Sequence, residues 1–394
     1  MIAQVIDEKS GCESLFHDNQ VINVSEVDKR TSILTWKHSD VLKEYGCDYA
    51  WVWSSGKSLV ECCPDYLKSR FDKVLETLKA HMRTLKTSKV CLDSNCFFDL
   101  IPQATMTEYF NLKNKICESI SKTEKPKNYD FLKKVHIMLD DISRNEINID
   151  PTNLHDLRFK SEVRSFLNKL DRYERFIYLD MFKSKTGRLT TKKGSFPILN
   201  LKKEYRKVLK PNNDLFIELD YNSAEVRVFL SFLGHTNIDE DIHEWNVKNI
   251  SKDNCTREEM KERFFAWLYN PDSKDFEMEK FYNRDSLKKK YWDGKKVENP
   301  FGRVLDSDER HCINYLIQST TNDIVLENAI KIKELLRDKK SYISFTLHDS
   351  VILDFSKEDK QMIDGIVKSF SDTRMGKFKV NVAMGKNFGE MNSI

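Results

Sequence analysis

The chain has 394 residues, 40% of them hydrophobic and 32% charged, with a net charge of +3. That length supports two or three domains with a sizeable core, and the composition excludes disordered and fibrous classes. A near-neutral balance does not mark a nucleic-acid binder by itself, so any basic surface must be local.

Residues 1–65 mix short apolar runs, such as Tyr49-Ala50-Trp51-Val52-Trp53, with Gly46 and Gly56. They are expected to form a small, loop-rich region with some strand. From Tyr66, apolar residues recur at helical spacing (Leu67, Phe71, Val74, Leu75, Leu78). Helices are predicted to follow over Thr107–Ser121, Phe131–Ile142 and Ser161–Phe182, with a loop at Ser121–Asn128. Residues 66–182 are thus expected to be mostly helical. In residues 183–394, Leu215–Leu219 suits a buried strand, and Ala224–Leu233 and Arg257–Tyr269 suit helices. Cys312–Leu336 is predicted as a long amphipathic helix. Ser341–Leu347 and Val351–Phe355 flank a tight turn at His348-Asp349. The fold class is therefore α+β, with an antiparallel hairpin beside another strand and helices behind.

Nine cysteines at irregular spacings read as reduced intracellular thiols. Cys62, Cys63, Cys91 and Cys96 lack zinc-ligand spacing and read as small buried hydrophobes. No apolar run approaches the ~18 residues of a membrane span, and the first residues lack a signal-peptide pattern. A soluble, cytoplasmic protein is expected.

Four elements carry chemistry. Asp220 ends an apolar strand, and Asp349 sits at the turn of an apolar hairpin. Buried carboxylates are costly unless paired or bound to a cation, and two on adjacent strands could hold two Mg2+ ions about 4 Å apart. Taken singly, either could simply cap a helix or turn. Arg257, Lys261, Phe265 and Tyr269 recur every four residues, so they share one face of a helix. Two cations followed by two aromatics suit a triphosphate and its base, while Phe264, Trp267 and Leu268 can form the buried face. Between Lys183 and Lys210, ten Lys/Arg residues stand against one acid, Glu204, a footprint of phosphate-backbone contact.

Together, from about residue 171 onward, these elements resemble the polymerase domain of family A DNA polymerases, the bacterial and T7-like type. Thr186-Gly187-Arg188-Leu189 resembles the family's Thr-Gly-Arg-Leu segment. Asp220-Tyr221-Asn222-Ser223-Ala224-Glu225-Val226-Arg227 is similar to its motif A, and Asp241-Ile242-His243 follows. Arg257, Lys261, Phe265 and Tyr269 match the fingers-helix motif. Phe301-Gly302-Arg303 and Gln318 to Asp323 resemble the segments before motif C, whose core is His348-Asp349. Ser350 stands where the family has Glu, and Asn270 where it has Gly.

The resemblance implies a right-hand polymerase fold, with a palm built on an antiparallel sheet and helical fingers over 183–394. Residues 66–182 would be thumb-like. It implies two Mg2+ ions, with Mn2+ able to substitute, on Asp220 and Asp349, and Tyr221 as a further ligand. Lys261, Arg257 and His243 would neutralise the triphosphate, with Lys261 protonating pyrophosphate. Tyr269 and Phe265 would stack on the base and sugar, and Glu225 would exclude a ribose 2′-hydroxyl. Arg188, Asn200, Arg227, Gln318 and His348 would contact DNA. The implied partners are primer-template DNA and dNTPs, with a replication accessory protein meeting the N-terminal region. No strand before residue 170 carries the Asp-x-Glu of a proofreading exonuclease. A compact polymerase of this kind suggests a virus or mobile element. The alternatives are an RNA-synthesising relative, an inert primer-template-binding derivative and a metal nuclease.

Overall fold

A computed structural model describes every residue except 8–11, 93, 171, 252–254 and 271. Asp171, where the resemblance begins, therefore lies outside the described residues. The chain divides into two compact units, Met1–Asp140 and Asp141–Ile394. No described helix is long and apolar enough to cross a membrane.

In the first unit, strands β1 (Gln4–Val5), β2 (Ser14–His17) and β3 (Gln20–Asn23) form an antiparallel sheet. β4 (Ile33–Thr35) and β5 (Cys47–Tyr49) pair in parallel. Helices α1 (Asp65–Thr87), α2 (Gln103–Ser121) and α3 (Tyr129–Arg144) follow, the last crossing the division between units. α1 buries the predicted stripe of Leu67, Phe71 and Val74. Phe16 stacks on Phe110 of α2 in the core, with ring centroids 5.4 Å apart. Of the four cysteines read as buried hydrophobes, Cys63 is buried, Cys62 and Cys96 are half-buried, and Cys91 is exposed.

In the second unit, the helix expected over Ser161–Phe182 ends early, as α4 (Ser161–Leu170). Beyond it the main chain pairs across to 190–196 instead. Glu174 N–H donates to Gly194 O, Phe196 to Phe176 O and Lys192 to Tyr178 O. β6 (Leu179–Asp180) and β7 (Thr190–Thr191) are the regular part of this pairing. Partners supplied by a distant segment outweighed local helical spacing here.

The main sheet has five antiparallel strands in the order β9-β10-β8-β11-β12. They are β8 (Leu215–Tyr221), β9 (Tyr342–Leu347), β10 (Ser350–Phe355), β11 (Val380–Gly385) and β12 (Asn392–Ser393). β8 is paired on both edges, which explains its near-continuous apolar run. Around it lie α5 (Ala224–Phe232), α6 (Ile242–Ile250), α7 (Arg257–Tyr269), α8 (Phe276–Tyr282), α9 (Arg284–Tyr291), α10 (Cys312–Leu335) and α11 (Ile363–Ser371). α10 packs on β9, β10, α5 and α11.

α10 departs from the amphipathic expectation, because it is buried on most sides from Cys312 to Ile332. Several of its buried polar residues are bonded within the fold. Asn299 Nδ2 donates to Ser319 Oγ (3.2 Å) and Asp323 (2.8 Å), and Arg303 forms a buried pair with Asp323 (2.7 Å). Gly187 (φ +76°) lies flat on this cluster; a Cβ there would come within 2.5 Å of Arg303 Cζ. Asn322 Nδ2 also donates to Gly187 O at 3.0 Å. The Thr-Gly-Arg turn is thus docked onto α10, and only glycine permits that approach.

Candidate active site

Strand register brings the two aspartates together. Asp220, near the end of β8, lies opposite Ser350 of β10 and Asn381 of β11. Leu347 pairs with Ser350, so His348 and Asp349 form a two-residue turn, with His348 at φ +51°. Asp349 is thus one residue from the cross-strand partner of Asp220. Ser350 is buried, and its hydroxyl donates to Leu347 O at 2.9 Å, closing the turn. That bond holds the Ser350 hydroxyl within the turn.

Burial, the charge of Asp349 and the charge of Glu218 push the Asp220 carboxyl up to about 7, against a hydrogen bond from Asn381. Burial also raises Asp349, opposed by the nearby Arg188 guanidinium. Two such carboxylates repel each other until protons or cations neutralise them, so the pair fits a divalent ion. Tyr221 does not extend this set through its side chain. Its phenol donates to Phe370 O at 2.6 Å and its ring stacks on Phe370, leaving only its main-chain carbonyl as a ligand atom.

The pH consequence follows from the sign of the shift. With its pKa raised on folding, Asp220 is bound more tightly by a proton in the folded chain. The contribution of this group to stability is therefore fully present below about pH 4 and is lost as the pH rises through about 7. Asp349→Asn should raise the melting temperature of the metal-free protein at pH 8 but not at pH 4. Mg2+ should stabilise the wild type at pH 8 and the variant far less. Thermal denaturation with and without chelator measures this, and equal melting temperatures at pH 8 would contradict it.

Beside the pair, Glu225 is buried on α5 and joins three elements. Arg188 and the Tyr269 hydroxyl both donate to its carboxylate, and Tyr269 is also hydrogen-bonded by Gln318 of α10. Arg188, Asn322, His348 and Asp349 line one small cleft. His348 is exposed at the turn, and Gln318 is half-buried.

α7 presents the predicted face. Met260, Phe264, Trp267 and Leu268 are buried, against Phe229 and Tyr282 among others. Phe265 and Tyr269 stack with centroids 6.0 Å apart. Lys261 is exposed, with no carboxylate in ion-pair distance among the described residues. Arg257 instead pairs with Asp241 at 2.9 Å. Asp241 also caps α6, accepting from the His243 and Glu244 N–H groups, and takes a bond from Asn222.

His243 requires a correction. Burial holds its pKa down at about 4, helped by Arg257 and Lys261 and opposed by Asp241, so it is neutral at pH 7 in the free chain. It cannot offset phosphate charge there as a cation. Its Nε2 bonds Ser223 Oγ at 2.9 Å, while its buried Nδ1 has no hydrogen-bond partner. An orphaned nitrogen of this kind is a place for a ligand oxygen.

Arg227 is the second correction. It is buried, and it donates to Asn222 O and Oδ1, Ile238 O and Glu240 O. It clamps the loop before α6, with four of its five N–H donors engaged there and its side chain buried away from a DNA-facing surface. Asn200 is exposed at the end of a short turn, Ile198–Asn200, and Leu199 beside it lines the Arg188 cleft. The basic stretch is partly neutralised within its own unit. Lys202 pairs with Glu162, Lys207 with Glu390 and Lys210 with Asp150.

Sequence reasoning missed Glu218 and Asn381. Glu218 lies two residues before Asp220, so strand alternation puts it on the same face. That signal was legible. Asn381 reaches the site only through β8–β11 pairing, which spacing does not reveal.

No family model matches the chain, and no curated protein matches it. Among solved structures it is similar to the POL domain of Pol1 from M. smegmatis, determined in complex with DNA primer-template and dNTP. The TM-score is 0.56 at 13% identity, covering 73% of this chain and 75% of that one. The two share a fold.

Proposed function

We propose that the chain is a template-directed DNA polymerase of the family A type, adding dNTPs to a primer 3′-hydroxyl without proofreading. The observation that carries this is the convergence of the Asp220–Asp349 pair with the cation–aromatic face of α7, joined through the Glu225–Tyr269 hydrogen bond. The shared fold supports it. On this reading residues 183–394 are palm and fingers, and 66–182 are thumb-like.

Asp220 and Asp349, with the Tyr221 carbonyl, would hold two divalent cations, whose chemistry is to activate the 3′-hydroxyl and stabilise the leaving pyrophosphate. The remaining work falls to the chain's own side chains. Lys261 meets the triphosphate and gives a proton to the departing pyrophosphate. Arg257 meets it too, once a phosphate outcompetes Asp241. Neutral His243 offers Nδ1 to a phosphate oxygen. Phe265 and Tyr269 form a stacking platform for the incoming base. Arg188, Gln318 and His348 face the primer-template, with Asn200 at the edge.

Glu225 sets sugar choice. Held by Arg188 and Tyr269, its carboxylate has no freedom to move from a 2′-hydroxyl. A buried hydroxyl without a partner costs about 1–3 kcal/mol. Glu225→Ala should therefore raise the rNTP/dNTP ratio of kcat/KM about tenfold, whereas Glu225→Gln, which keeps the volume, should change it little. Single-nucleotide extension measures this, and an unchanged ratio in the Ala variant would remove Glu225 from sugar selection.

A further inference from the structure

The side chains assigned to that chemistry all lie in the second unit, and the first gathers three metal-ligating side chains of its own. His38 follows β4, Asp40 opens the next turn, and Asp140 lies on α3. One ligand atom from each lies within 4.8 Å of the other two. His38 Nε2 is 3.8 Å from Asp140 Oδ2, too long for a hydrogen bond. Ligand atoms held about 2.1 Å from one ion lie roughly 3 to 4 Å apart, so the His38–Asp140 spacing already suits a coordination shell and the wider limit of 4.8 Å needs only a small side-chain adjustment to close on an ion.

The surroundings orient the imidazole. His38 is 4% exposed, and its Nδ1 is hydrogen-bonded to the Tyr49 hydroxyl at 2.8 Å. Its main-chain N–H donates to His136 Nε2 at 3.0 Å. His136 stands four residues before Asp140, on the same face of α3. Tyr49 and Trp51 pack against the His136 ring, with centroids 5.3 and 5.0 Å away. A ring fixed through Nδ1 with Nε2 turned to two carboxylates is the outer-shell arrangement of metal-binding histidines.

We propose that His38, Asp40 and Asp140 form a divalent-metal site in the first unit, separate from the aspartate pair. One imidazole with two carboxylates suits Mn2+ or Zn2+ rather than Mg2+, which prefers an all-oxygen shell. Asp40 is partly exposed, so solvent can complete the coordination. The ion would tie residues 38–40 to a helix about 100 residues later, a clip that stabilises this unit by closing a long loop.

The test uses the full chain carrying Asp220→Asn and Asp349→Asn, so that the proposed polymerase cations do not contribute. The protein is stripped with chelator, loaded with Mn2+ or Zn2+, desalted, and its metal counted by mass spectrometry. The expected result is one ion per chain, with a higher melting temperature. Adding Asp40→Asn, a near-isosteric change outside the core, should weaken binding at least tenfold and abolish the thermal gain. Adding Asp140→Asn should do the same. Less than a tenth of an ion per chain, or binding unaffected by Asp40→Asn, would overturn the proposal.

Discussion

Replacing Asp220 or Asp349 by Ala should lower primer extension by about 10³-fold or more, equivalent to about 4 kcal/mol of transition-state stabilisation. Primer-template binding should stay nearly intact, because backbone contacts come from other side chains. The two losses should not add, since either change dismantles one shared site. Single-turnover extension alongside a binding isotherm separates chemistry from affinity. Either variant keeping near-wild-type extension would show that the pair does not hold the reacting centre. Loss of DNA binding in proportion to activity would point to a folding defect instead. The raised Asp220 carboxyl favours the first outcome, because removing either charge relieves repulsion rather than breaking an attraction.

The largest stability effect is expected at Arg303. Its guanidinium donates to both oxygens of Asp323, which is fully buried on α10. Arg303→Met would leave that carboxylate without its cation, a loss of about 3–5 kcal/mol. It would also remove the surface on which Gly187 lies, and so shift Arg188 away from Glu225 and Asp349. Adding Asp323→Leu should recover much of the lost stability, because an apolar pair replaces a paired charge at far less cost. It should not recover extension, since the Thr-Gly-Arg turn stays unsupported. Denaturant unfolding of the single and double variants measures the coupling. A loss under about 1 kcal/mol for Arg303→Met would contradict this view of the cluster.

Much of the second unit was legible in the sequence, because its strands and helices carry strong local signals. β8, β10 and α7 lie where apolar runs and four-residue spacing put them, and the buried face of α7 is the one its off-line residues predicted. What spacing could not show was partnership. The run after Leu170 has helical periodicity, but its main chain bonds to 190–196. Arg227 looked like a DNA contact by its place in a motif, yet four acceptors around it make it a clamp. His243 looked cationic, and its burial, helped by the nearby Arg257 and Lys261 charges, makes it neutral. Lysines between 183 and 210 looked like one basic surface until their acids, distant in sequence, were seen beside them. In the first unit Asp140 is too far in sequence from His38 and Asp40 to form a visible pattern with them, and only the fold gathers the three.

The most direct test is a primer-extension assay on the unmodified protein with Mg2+, comparing dNTPs, rNTPs and no nucleotide on a defined template. The account predicts template-matched extension with dNTPs, at least tenfold weaker extension with rNTPs, and an intact primer when nucleotide is withheld. Equal or better use of rNTPs would assign the chain to RNA synthesis. Shortening of the primer without nucleotide would indicate a nuclease, and no extension under any metal or nucleotide would contradict the polymerase assignment outright.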